Sequence, residues 1–118
     1  MNLIVDTNIV FYLLGGNRRI KSLLNKTTVH IPFIVEIELL SHPKIKTEEL
    51  KLIRSFINDS IRIPYSDQLK ESVIEVRKSS KIKIPDAFVA ASSLITNYTL
   101  VSADTKVEDL NFIEFNLS

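Results

Sequence analysis

The sequence contains no cysteine, two glycines and four prolines in 118 residues. Without cysteine there is no disulfide, no thiolate nucleophile and no thiolate metal ligand, which suits a reducing compartment and makes the cytoplasm the default expectation. So little glycine and proline leaves scant material for linkers, and no internal repeat or low-complexity tract interrupts the chain. One domain over residues 1–118 is expected, burying roughly two-thirds of the surface its unfolded form exposes. Charge of one sign is also lacking. Fifteen basic residues against 14 acidic give a net charge of +1, so any nucleic-acid partner must be held by a local patch or by a metal. No apolar run approaches the ~18 residues of a membrane span. The opening Met1-Asn2-Leu3-Ile4-Val5-Asp6 has no basic flank and meets an acid too early for an export signal.

The hydrophobic pattern predicts alternating strands and helices. Leu3-Ile4-Val5 is a short apolar strand ending at Asp6-Thr7-Asn8, residues that favour helix caps, and a helix follows to Leu14 before Gly15-Gly16. Arg18 to Leu24 is predicted helical, Thr28 to Ile31 a strand ended by Pro32, and Phe33 to Leu40 a helix. Thr47 caps a helix carrying Leu50, Ile53 and Ile57, and Ile61 to Ile63 is a strand. Ser66-Asp67 starts a helix with Leu69, Val73 and Val76 on one stripe, followed by a basic loop from Arg77 to Lys83. Pro85 opens the next helix, to Thr96, with Leu100-Val101 and Phe112 to Phe115 as further strands. This order implies an α/β fold: a parallel sheet of four to five strands flanked by helices, with ligands beyond the carboxyl ends of its strands.

Asp6 and Asp104 each follow a strand, and Asp86 lies in the first turn of a helix beginning near the same edge. Taken singly, each has a plain structural role, as cap, helix-dipole partner or turn former. Glu36 and Glu38 belong to a helix that reads as apolar on nearly all sides, where an unpaired carboxylate is costly. They point about 200° apart, so only one faces a given site, and spacing does not choose between them. Acids gathered at one edge repel one another unless a cation sits among them. An all-oxygen ligand set favours Mg²⁺ or Mn²⁺ over zinc.

Val5-Asp6-Thr7-Asn8, Glu38-Leu39-Leu40, Ile84-Pro85-Asp86-Ala87-Phe88-Val89-Ala90-Ala91 and Leu100-Val101-Ser102-Ala103-Asp104 resemble, in order and spacing, the motifs of the PIN domain family, especially VapC-like toxins. The resemblance covers nearly the whole chain and selects Glu38 over Glu36. It implies a ribonuclease dependent on Mg²⁺ or Mn²⁺, with Asp6, Glu38, Asp86 and Asp104 as the metal-binding and catalytic acids. It also implies an antitoxin protein partner and a homodimer. Two departures concern the rim: Val107 stands where an aromatic is frequent after the last acid, and Ala103 where a basic residue is frequent.

Asn8 and Ser102 are candidates for orienting a ligand or a water, with local capping and turn bonding as the equal alternative. Arg77, Lys78, Lys81 and Lys83 are candidates for RNA phosphates, although a solvated basic loop is the commoner explanation of such a run. His30 reads as an ordinary strand residue and His42, with Pro43 beyond it, as a helix-end residue. Two other functions compete. A receiver-like signalling domain would carry paired acids after its first strand and a lysine after a late one, and here Asp6 stands alone. A catalytically silent PIN-like module would ordinarily lack one of the acids, and all four are present.

Overall fold

Leu3, Ile4 and Val5 are each 0 % exposed, the mark of a strand covered on both faces, where a continuous apolar run replaces alternation. They belong to β1 (Asn2–Val5), the centre of a five-stranded, all-parallel sheet in the computed structural model, which describes residues 1–102 and the backbone of residues 112–114. The other strands are β2 (Thr28–Pro32), β3 (Ile61–Ile63), β4 (Thr99–Ser102) and β5 (Phe112–Glu114), in the order β3-β2-β1-β4-β5. Register aligns Ile4 with His30 on one side and with Leu100 on the other.

Among the described residues six helices flank the sheet: α1 (Thr7–Leu14), α2 (Arg18–Leu24), α3 (Phe33–Ser41), α4 (Thr47–Asp59), α5 (Asp67–Ser79) and α6 (Ile84–Thr96). Their ends are largely written in local chemistry. Asp6, Asn17 and Ser66 cap α1, α2 and α5, each accepting a bond from the backbone N–H three residues on. Gly16, at φ +92°, turns the chain between α1 and α2 in a conformation that side chains resist. Asn97 ends α6 in the left-handed region, at φ 60°.

The main core joins β1, β2 and β4 to α1, α3 and α4, while Leu69, Val73 and Ile82 close a second cluster against Ala87, Ala90 and Ala91 of α6. The alanine face lets α5 approach α6 closely. Among the described residues no helix is long and apolar enough to cross a membrane.

Three sequence expectations are corrected. The N-cap of α4 is Lys46, without a side-chain cap bond, and Thr47 is the first helical residue. Arg77 and Lys78 are not in a loop but in the last turn of α5, where basic side chains face the helix's negative end. Helix α3 is not apolar all round in its setting: Ile37 is 53 % exposed, and only Val35 and Leu39 are buried. Phe115 of the fifth predicted strand lies outside the described residues.

Candidate active site

Strand order reverses at β1. The chain moves outward through β2 and β3, then returns to lay β4 on the other side, so a crevice opens beyond the carboxyl ends of β1 and β4. Asp6 and Ser102 stand on its two sides. The Ser102 hydroxyl donates to Asp6 Oδ2 at 2.7 Å, while Oδ1 accepts the N–H of Ile9 at 2.9 Å. One carboxylate thus starts α1 and ties it to β4.

A cleft of about 380 Å³ opens here, lined by three helical stripes. Thr7, Asn8 and Phe11 come from α1; Glu38, Ser41 and His42 from α3 and its end; Asp86 and Val89 from α6. Thr7 and Asn8 lie four and three residues before Phe11, Glu38 lies three and four before Ser41 and His42, and Asp86 lies three before Val89, the spacing that puts helical side chains on one face. Glu38 Oε1 accepts the Thr7 hydroxyl at 2.8 Å, which links α1 to α3 across the cleft.

Glu36 goes elsewhere. Its Oε1 lies 2.6 Å from Arg62 Nε on β3, so the two acids of α3 divide as their angular separation requires.

Asp6, Glu38 and Asp86 therefore share one cleft, with Asn8 on its rim and Ser102 bonded to Asp6 from behind. Asp104, with Ala103 and Val107, lies outside the described residues. Among the described residues no group of three or more carboxylate or imidazole side chains is close enough to hold a metal ion as it stands. The donor chemistry nevertheless suits Mg²⁺ or Mn²⁺, because only oxygen is offered by the three acids, and Mg²⁺ commonly uses one or two carboxylates and completes its shell with water.

The basic residues do not line the cleft. Arg77 donates to the carbonyl of Ile82 at 2.6 Å, fastening the segment that leads into α6, and Lys78 lies 3.8 Å from Glu75 in an exposed pair. Lys81 and Lys83 are exposed, with Lys83 three residues before Asp86. The cleft also contains Thr7 and Phe11, which the sequence reading did not single out as site residues, and His42, which it read as a helix-end residue and which is the C-cap of α3. Thr7 and Phe11 stand one helical turn apart, as do Glu38 and His42, and that spacing from an identified acid is the signal that finds His42. His30 is a buried strand residue, as expected, bonded through Nε2 to Asn2 Oδ1 at 2.9 Å and packed against Tyr98.

A family model described as PIN domain matches residues 3–113. The chain belongs to the PIN domain family. A toxin–antitoxin complex from Klebsiella pneumoniae contains a similar chain, with TM-score 0.83 and 24% identity, the match covering 96% of this chain and 99% of that one. VapBC2 from Rickettsia felis, bound to a DNA fragment from its promoter, gives TM-score 0.84 at 22% identity, over 98% and 100% of the two chains. VapBC-1 from nontypeable Haemophilus influenzae gives 0.76 at 19%, over 97% and 98%. At these identities the likeness establishes the shared fold. No curated protein matches the sequence.

Proposed function

We propose that this PIN domain is a metal-dependent endoribonuclease, the toxin of a type II toxin–antitoxin pair, acting in the cytoplasm on RNA. The observation that carries the reading is the cleft at the sheet's switch point that Asp6, Glu38 and Asp86 all line. Asp104, two residues beyond the described end of β4, is the fourth acid of the proposed site.

These acids would hold Mg²⁺ or Mn²⁺, which when bound neutralises charge on the attacked phosphate and acidifies water. The protein's own groups do the rest. Ser102 fixes the Asp6 carboxylate from behind and Thr7 fixes that of Glu38, so neither acid must reorganise as charge develops. Asn8, which lines the cleft, would hold a substrate or water oxygen. Lys81 and Lys83 would meet phosphates as the strand approaches Asp86. Arg77 and Lys78, engaged at the end of α5, would add only a diffuse positive field.

An antitoxin partner belongs to the same reading, supported by the toxin–antitoxin complexes among the structural relatives, and a homodimer is proposed with it on the family resemblance alone. A cognate antitoxin is expected to block the acids with a basic side chain, since a guanidinium pairs bidentately with carboxylate.

The test is cleavage of single-stranded RNA by the purified protein. Cleavage with Mg²⁺ or Mn²⁺ that stops on chelation supports the reading, and undiminished cleavage in excess EDTA refutes it.

A further inference from the structure

The cleft has an aromatic wall that the acids do not use. Phe11 and His42 both line it, their ring centroids 5.1 Å apart and their planes at 64°, edge to face. Phe11 is half-buried and packed on the main core, so its position is set by the fold. His42 is exposed and rests against it. An edge-to-face pair, unlike a stacked one, leaves ring face open to a third partner.

The backbone of His42 has φ −63° and ψ 124°, extended geometry open to any residue. Its Nδ1 accepts the N–H of Lys44 at 3.4 Å, a long bond that orients the ring.

The binding of RNA here needs a source of affinity other than charge. The chain's net charge is +1, the cleft presents carboxylates, and two of the four residues in the basic run are engaged on their own helix or loop. Bases offer what phosphates do not: a neutral π-face that adds no repulsion against the acids. The cleft volume, about 380 Å³, suits a nucleotide or two of single strand better than a duplex.

We infer that His42, braced by Phe11, is a stacking platform for one nucleobase of a single-stranded substrate, holding the adjoining phosphate over Asp6, Glu38 and Asp86. This rests on the nuclease reading of the same cleft. Because every base has a π-face, the platform favours single strands over duplex without imposing a sequence.

Initial rates on a pool of single-stranded RNA in Mg²⁺ test it. Stacking lost on truncation is worth about 5- to 150-fold in affinity, so His42→Ala should raise KM by that factor with kcat nearly unchanged. His42→Phe should restore KM, since it keeps a ring and discards the imidazole nitrogens. In addition, an RNA 10-mer with a single abasic nucleotide walked along it should lose wild-type affinity at one position, and His42→Ala should show no such position. Unchanged KM in His42→Ala, with wild-type cleavage intact, overturns the platform and leaves the nuclease reading standing. A fall in kcat that His42→Phe does not rescue also overturns it. If the wild type cleaves no RNA at all, the nuclease reading fails and takes the platform with it.

Discussion

The two ends of the sheet treat polar side chains in opposite ways. Near the amino ends of the strands, His30 is 6 % exposed, bonded to Asn2 and packed on Tyr98. The nearby end of α6 closes on itself, with Ser93 donating to the Tyr98 carbonyl and Thr96 to that of Ser92. At the carboxyl ends, Asp6, Glu38 and Asp86 line an open cleft, and the hydroxyls of Thr7 and Ser102 serve to aim two of them. One end spends its hydrogen bonds on holding the fold. The other spends them on fixing two of the acids that line the cleft.

The largest effect should come from the pair of acids on α3. Glu38→Gln removes a cleft carboxylate aimed by Thr7 and should lower RNA cleavage by about 10²-fold or more, the scale for losing one preorganised group from a reacting site. Glu36→Gln removes only the partner of Arg62 and should retain most activity, at a stability cost of about 0–1 kcal/mol for a partly exposed pair. Steady-state rates beside denaturant midpoints measure both. Equal losses of activity with both proteins folded would erase the distinction between the two faces of the helix.

Next in size are the aiming hydroxyls. Thr7→Val and Ser102→Ala leave every acid in place but free two carboxylates to turn, and should cost about 10- to 100-fold in metal affinity or activity. Activity assays across a Mg²⁺ titration read this directly. Wild-type behaviour in both variants would mean that the two bonds serve packing alone.

The smallest effect lies at the closed end. Burial lowers the pKa of His30 from its ordinary 6.5. As pH falls through about 6.5 the unfolded chain takes up a proton that the folded one resists, so stability drops over the interval between 6.5 and the lower folded value, and is full above it. His30→Gln, which can still donate to Asn2, should flatten that decline while leaving cleavage rates near neutral pH unchanged. Parallel melts of the two proteins from pH 7.5 to pH 5 would show the difference as a loss of slope, and identical slopes would contradict it.

Local signals were legible in the sequence and tertiary ones were less so. The strand Leu3-Ile4-Val5 and the caps Asp6 and Ser66 are decided within a few residues and are found where the pattern puts them, and α6 begins at Ile84, one residue before the Pro85 expected to open it. Thr47 misleads because two residues in succession suit the start of α4, and the backbone of Lys46 takes the cap without any side-chain bond. Helix α3 misleads because its hydrophobic composition does not reveal that Ile37 faces outward. The pairing of Thr7 with Glu38, 31 residues apart, and the meeting of Phe11 with His42 depend on α1 lying against α3, which no local pattern encodes. The choice of Glu38 over Glu36 needed either family resemblance or the sight of Arg62 beside Glu36.

The central claim is that the cleft acids form one shared cation site, and thermal melts with and without Mg²⁺ at fixed ionic strength test it without needing the right RNA. At tenfold excess over Kd, Mg²⁺ should stabilise the wild type by about 1.4 kcal/mol and Asp86→Asn by much less. Equal stabilisation of the two proteins, or none in the wild type at concentrations that support cleavage, would contradict the shared site.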